Sequence, residues 1–548
     1  MNFDYFSAAL GGLGLFLLGM WLITEGLRVA AGRSLERLLS SWTSSRVRGL
    51  VSGTVLTAVV QSSSAVTVAA LGFVNTGLLR FERAVWVIFG SNVGTTLTAW
   101  LVALVGFKFK VDLLALPLIG VGALLRVFAP VDRYRNLGMA LAGFGILFMG
   151  IQTLSGGFDS LGQQVSLDSG KHSLLLMVLI GMLLTTLMQS SSASMAVVLT
   201  ALAGGLVSFH DAAAVVIGAN VGTTSTALIA TLGATSNARR LAVAHVLFNV
   251  LTGVVALLLL APLLILVQWM AGGLSLANDA TSQLALFHTT FNLLGIALMW
   301  PLEPRLSAFL LTRFRERQSS AAALQFLDRN VATMPEAAVT AMLRELERVI
   351  VQYPQAMAAL PDHRQARQLA ASDRRQLLTG IGDFLATMSR QSLTEEQVQQ
   401  LSIGWRIQHN LVNVDDALAV LDGNGEALSR REDQAVAQEL LAPWFEEVRV
   451  RMADDLGPEP GETSFEPFRE GYDRTKSALL QAAITGRLSR QTLDIALQDL
   501  SQSRRLLEQW HRGLEHYRQM QQVHADSGAA GASPPVQSDL PAQDLKDG

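Results

Sequence analysis

Apolar positions fill most of the first three hundred residues, in runs long enough to cross a bilayer, and polar residues interrupt those runs at only a few places. Residues 6–27, 84–106, 112–129, 140–158 and 283–301 read as spans. The sharpest interruption is Gln61-Ser62-Ser63-Ser64-Ala65, which recurs letter for letter as Gln189-Ser190-Ser191-Ser192-Ala193, 128 positions later. Apolar sequence runs into and out of each copy, so two polar clusters lie at membrane depth. Backbone leaves helical geometry there only where protein or a water-filled cavity satisfies it.

A second pair follows in the same register. Gly90-Ser91-Asn92-Val93-Gly94-Thr95-Thr96 matches Gly218-Ala219-Asn220-Val221-Gly222-Thr223-Thr224, again 128 apart. Upstream of both, Gly12, Gly14, Gly19 and Gly26 are echoed by Gly143, Gly145, Gly150 and Gly157. Taken singly, these glycines mean close helix packing; as a set they extend an internal duplication. Each repeat is expected to hold a span, a re-entrant hairpin tipped by QSSS, and a span broken at G-x-N-V-G-T-T. Three crossings separate the two repeat starts, and that odd count makes the repeats inverted.

After about residue 305 the pattern changes to amphipathic helix. Val339, Met342, Leu343, Leu346, Val349 and Ile350 share one face, and Ile403, Ile407, Leu411, Val414, Leu418 and Leu421 another. Pro354, Gly423-Asn424-Gly425 and the Gly457–Gly461 stretch punctuate them, giving an antiparallel bundle over 331–520. Beyond Gln521 the polar, Pro- and Gly-containing sequence predicts a disordered tail, 521–548.

Charge follows the same division. Half of the 548 residues are hydrophobic. Residues 1–310 carry 16 basic and 11 acidic side chains, leaving 26 and 34 for the remainder. With no cysteine, disulfides and thiolate metal sites are excluded. The first basic residue, Arg28, lies past the first apolar run, so that run is expected to remain as a span. On the inverted topology one side collects twelve arginines (among them Arg46, Arg83, Arg135 and Arg239) and the other only Lys108, Lys110 and Lys171. The arginine-rich side is therefore cytoplasmic. The N-terminus is then outside, and the charged second half cytoplasmic.

No Lys or Arg occurs in 49–79, 84–106, 173–209 or 212–238, the segments carrying the motifs. An anion bound there must be held by hydroxyls, amides and helix N-termini, with its charge left uncompensated unless a cation binds beside it. Oxygen ligands of this kind suit Na⁺. Two later spans carry His and Asn four residues apart, His245 with Asn249 and His288 with Asn292, each pair on one helix face. An interhelical hydrogen bond that fixes packing is the plainer role for them, direct ligation the sharper one. In the second half Asp415, Asp416 and Asp422 near His409 could suggest a metal site, but a solvated outer face is the plainer reading.

With QSSS at 61–64 and 189–192, GSNVGTT, GANVGTT and HVLFN at 245–249 in view, the chain resembles the bacterial branch of the type II Na⁺/phosphate cotransporter family, in which a PhoU-like cytoplasmic domain follows the transporter. The resemblance covers about residues 6–300. It is looser over 335–520, resting there on helical pattern and on Arg406-Ile407-Gln408-His409-Asn410-Leu411 running to Asp415-Asp416. It implies an all-α polytopic membrane protein with two inverted repeats (6–106 and 140–233) in a transport domain, 1–304. A linker, 305–330, and the PhoU-like bundle would follow.

The resemblance further implies sodium-coupled phosphate transport across the bacterial inner membrane. Ser62, Ser63, Ser64, Ser190, Ser191 and Ser192 would meet phosphate. Gln61, Gln189, Asn92, Thr95, Thr96, Asn220, Thr223 and Thr224 would bind Na⁺ or brace the hairpins, with His245, Asn249, His288 and Asn292 packing behind. Na⁺ is the coupling ion and no other cofactor or metal is implied. Expected partners are phosphate, Na⁺, the bilayer, and a second copy or another protein at the bundle, with no nucleic acid. Export instead of uptake, and a phosphate sensor that moves nothing, are the alternatives. A serine hydrolase is a third, against which stands the lack of a G-x-S-x-G elbow.

Overall fold

A computed structural model describes residues 3–75, 79–106, 112–162, 173–231, 236–313, 322–332, 334–358, 364–390, 393, 395–457 and 465–529. All regular structure among them is helical, and the chain divides into two compact units, Met1–Arg315 and Glu316–Gly548.

The first unit opens with α1 (Phe3–Ser41), α2 (Arg46–Val60) and α3 (Ser63–Asn75), then α4 (Phe81–Gly94) and α5 (Thr96–Leu101), a π-helical turn Val102–Gly106, and α6 (Asp112–Phe128). The second copy follows as α7 (Asp132–Gly162), α8 (Leu174–Met188), α9 (Ser191–Ala203), α10 (Phe209–Gly222) and α11 (Thr224–Ala230). The unit ends with α12 (Ser236–Leu258), α13 (Leu260–Gly273) and α14 (Ala280–Arg313). Among the described residues six stretches are long and apolar enough to cross a membrane: Ser7–Ala30, Phe81–Leu104, Asp132–Phe158, Phe209–Ile229, Ser236–Leu258 and Ala280–Arg313. Lys108, Lys110 and Lys171 lie outside the described residues.

Glycine sets the packing. A Cβ built on Gly12 would meet Leu154, on Gly19 Leu147, and on Gly26 Ala140, each within 3 Å. As numbers rise along α1 they fall along α7, so the two helices run antiparallel in backbone contact. Gly14 faces open space, whereas Gly145 packs on α6, so this part of the repeat diverges. Within each copy the pairing is parallel. Gly53 meets Val87, Gly90 meets Leu50 and Gly94 meets Thr54; the second copy repeats this as Gly181 with Val215, Gly218 with Val178 and Gly222 with Met182. The sequence duplication is thus also a duplication of contacts. Near the start of α2, buried Glu303 of α14 pairs with Arg46 at 3.3 Å and accepts from Ser307 at 2.7 Å.

The second unit comprises α15 (Arg329–Ala332), α16 (Pro335–Ile350), α17 (Tyr353–Ala358), α18 (Arg364–Met388), α19 (Glu395–Leu428), α20 (Gln434–Asp454), α21 (Phe465–Ile484) and α22 (Arg490–Ala529). Its core gathers the predicted faces of α16 and α19 with Trp444 and Trp510, both fully buried.

Three expectations change here. Gly423-Asn424-Gly425 does not end a helix: α19 runs through it, because Leu421 and Leu428 are buried on either side and Asn424 donates to Asp499 at 2.7 Å, outweighing the cost of glycine in a helix. The segment past Gln521 continues α22 to Ala529, with His524 bonded to Thr340 at 3.0 Å; residues 530–548 lie outside the description. Asp415 is not on a solvated face. It is 2% exposed, held by Arg374 at 2.9 Å and Arg375 at 3.1 Å, and Arg375 also takes Asp416. Its oxygens are committed to guanidinium groups, and no cluster of three or more metal-ligating His or acidic side chains occurs among the described residues. Of the predicted breaks, Pro354 sits at the start of α17; residues 458–464 lie outside the description.

Candidate functional site

Both QSSS segments interrupt a helix in the same way. Gln61 (φ 57°) and Gln189 (φ 52°) take the left-handed conformation, which costs a non-glycine residue about 1–2 kcal/mol. With Ser275 they are the only non-glycine residues with positive φ among those described. Each glutamine amide donates back to the carbonyl three residues earlier, Gln61 to Ala58 and Gln189 to Thr186. The chain then restarts as helix, with Ser62 and Ser190 as caps: Ser62 Oγ accepts from Ala65 N and Ser190 Oγ from Ala193 N, both at 3.2 Å. Thus Ser63, Ser64, Ser191 and Ser192 sit in the first turns of α3 and α9. Free N–H groups and the positive end of the helix dipole lie there. Ser63 and Ser192 are buried, and Ser64 and Ser191 half-buried.

One hydrogen-bonded thread joins the copies. Thr98 Oγ1 donates to Gln61 Oε1 at 2.7 Å and accepts from Ser192 Oγ at 3.4 Å. Thr98 was not singled out by its motif. The available signal was its own copy, Thr226, at the same offset of 128. The two glutamines are not equivalent: Gln61 is buried and bonded across to α5, Gln189 is exposed. The second tip has a brace of its own, Thr185 Oγ1 to Ser194 Oγ at 2.9 Å.

The G-x-N-V-G-T-T segments are less open than expected. Thr95 and Thr223 keep right-handed helical angles (φ/ψ −65°/−21° and −57°/−25°), so each helix is interrupted at one residue and not unwound. The reason lies in the threonines, whose hydroxyls donate to carbonyls three residues back. Thr95 takes Asn92 O (2.6 Å), Thr96 takes Val93 O (2.7 Å), Thr223 takes Asn220 O, and Thr224 takes Val221 O (2.7 Å). The carbonyls of Asn92, Val93, Asn220 and Val221 each therefore accept a threonine hydroxyl. The donating hydroxyls keep their lone pairs, so the oxygens left for a cation are those of Thr95, Thr96, Thr223 and Thr224 and of the Asn92 and Asn220 amides.

Those amides are held differently. Asn92 Nδ2 donates to Ile88 O of its own helix at 3.1 Å. Asn220 Nδ2 donates to Asn249 Oδ1 at 2.7 Å and Asn292 Oδ1 at 3.4 Å. The His–Asn pairs thus converge on the second copy. Asn249 and Asn292 act through their side chains, while His245 and His288 accept the Asn amides through their backbone carbonyls, at 3.0 and 2.8 Å. Both imidazoles are buried. Beside them Trp100 Nε1 donates to Thr289 Oγ1 at 3.0 Å, fixing α5 against α14.

The family model described as Na+/Pi-cotransporter matches residues 15–156 and 164–299, one segment per copy of the motifs. "Uncharacterized protein YqeW" of Bacillus subtilis (strain 168) is 33% identical over 297 residues, covering 52% of this chain and 91% of that protein. "Putative inorganic phosphate export protein YjbB" of Escherichia coli (strain K12) is 27% identical over 433 residues, 77% of each chain. "Sodium-dependent phosphate transport protein 2A" of Rattus norvegicus is 34% identical over 105 residues, 19% of this chain and 16% of that protein. No solved structure matches.

Proposed function

From the chain's membership of the Na+/Pi-cotransporter family, whose members are transporters and not enzymes, we propose that the first unit moves inorganic phosphate across the bacterial inner membrane with Na⁺, around one site shared by the two QSSS segments. The observation that carries this reading is the Gln61–Thr98–Ser192 thread, which brings residues of both copies within hydrogen-bonding distance. Phosphate is held by the six tip serines and the first-turn N–H groups of α3 and α9. Na⁺ is held by the threonine and asparagine oxygens at the two interrupted helices. With no Lys or Arg on these segments, Na⁺ offsets the charge of the anion, so each ligand strengthens binding of the other.

Alternating access follows from the duplication. Helices of 15 and 13 residues, α2 and α3, extend about 22 and 20 Å, short of a bilayer core of about 30 Å, which supports a re-entrant hairpin. The antiparallel contact of α1 with α7 supports inverted repeats, so the hairpins enter from opposite faces and meet near the midplane. The arginine distribution supports an external N-terminus and a cytoplasmic second unit, which we read as a PhoU-like regulatory domain and a surface for a second copy or another protein. The Escherichia coli relative, which matches 77% of this chain, is named for phosphate export, and this favours net efflux as the second reading.

Proteoliposomes containing the full chain test both. Uptake of labelled phosphate that rises with an inward Na⁺ gradient, and not with K⁺, is expected. Phosphate binding without flux under any gradient would leave a sensor, and flux indifferent to Na⁺ would remove the coupling.

A further inference from the structure

The asparagines of the two G-x-N-V-G-T-T copies differ in what they can offer a ligand, and the difference is fixed from outside the motifs. On α12 and α14 the short pattern His-x-x-Phe-Asn occurs twice, 43 residues apart, at 245–249 and 288–292. The two helices pack in that same register, since a Cβ on Gly295 would meet Thr252 and Phe248. Asn249 and Asn292 therefore reach Asn220 side by side.

Their amide orientations are determined one bond further out. Asn249 Nδ2 donates to His245 O and Asn292 Nδ2 to His288 O, and a backbone carbonyl can only accept. Each amide must accordingly turn its Oδ1 toward Asn220. Facing two acceptors, Asn220 must present its NH₂ to both, which uses both of its N–H groups and turns its own Oδ1 away. All three side chains are buried, Asn249 and Asn292 completely. Asn92 gives only one N–H, to Ile88 O of its own helix, and keeps the other.

We propose that Asn249 and Asn292 are positioning residues that make Asn220 an oxygen-only group, able to ligate Na⁺ and unable to donate to phosphate, whereas Asn92 keeps both capacities. The inference rests on the reading of the first unit as Na⁺-coupled. It gives the duplicated motif two unequal halves: a cation position fixed in the second copy and an adaptable one in the first. Groups that orient a metal ligand from behind typically change metal affinity ten- to hundredfold when removed.

The test uses the full chain in proteoliposomes, with Asn249→Ala, Asn292→Ala and the pair together, and reads the Na⁺ concentration for half-maximal uptake separately from phosphate half-saturation at saturating Na⁺. The Na⁺ value should rise roughly tenfold or more in the double variant, while phosphate half-saturation stays near wild type; melting temperature falls in each variant, because truncation leaves buried N–H groups of Asn220 without acceptors. A merely structural role would move both half-saturation values together. A wild-type Na⁺ response in the double variant, or a phosphate half-saturation shifted as far as the Na⁺ value, overturns the proposal. Wild-type uptake without Na⁺ dependence would instead overturn the coupling on which it rests.

Discussion

Gln61 and Gln189 share a sequence context and a left-handed backbone conformation, yet one is buried and bonded to Thr98 while the other is exposed. Duplication preserved the turn and let its surroundings diverge, just as Ala219 stands where the first copy has Ser91. Single residues also govern stability in the second unit. Asp499 is 3% exposed and takes Asn424 Nδ2 at 2.7 Å; burial pushes its carboxyl up to about 7, and the amide only partly opposes this. A carboxyl whose folded pKa is raised binds more protons in the folded state, so its contribution to stability is full below the ordinary carboxylate value. That contribution is lost as pH rises toward about 7. Asn in place of Asp499 keeps an acceptor for Asn424 without the charge. Hydrogen exchange of α22 around residue 499 in the full chain should therefore slow in Asp499→Asn relative to wild type at pH 8, with the difference closing at pH 4. A difference independent of pH would show that the carboxyl does not titrate in this range.

Helices in the first unit meet through backbone, and this decides which glycines matter. A Cβ on Gly53 would lie 1.9 Å from Val87 O, and one on Gly218 1.9 Å from Val178 O, so neither can be accommodated without separating the two helices. Gly53→Ala and Gly218→Ala should each destabilise the unit by on the order of 1–3 kcal/mol, read as a lower melting temperature in detergent. Gly14→Ala, with nothing within 4 Å, should melt like wild type. Equal effects at all three would mean that helix propensity and not contact governs.

The same contrast explains what the sequence made legible. The elements and their duplication were readable, because the apolar runs and glycines repeat in register; that α2 packs on α4 and α8 on α10 came only with the structure. Thr98 was not readable, because its role depends on meeting Gln61, 37 residues before it, and Ser192, 94 residues after it. Nor were the engaged carbonyls at Thr95 and Thr223, since a threonine reads alike whether it caps a carbonyl or a cation. In the second unit Asn424 and Asp415 found buried partners on other helices, which local propensity does not register.

At the scale of the molecule, an apolar unit with two copies of one polar motif is followed by a helical unit with a separate core, and the Na+/Pi-cotransporter family match lies in the first. Both QSSS segments are expected to serve a single phosphate. Equilibrium binding of labelled phosphate to the purified full chain at saturating Na⁺ tests this most directly, with Ser63→Ala and Ser191→Ala alongside. Losing a hydroxyl that contacts a charged group costs on the order of 1.5–3 kcal/mol. One phosphate per chain is expected, with roughly ten- to hundredfold weaker binding in either variant. Two phosphates per chain, or wild-type affinity in both variants, would contradict it.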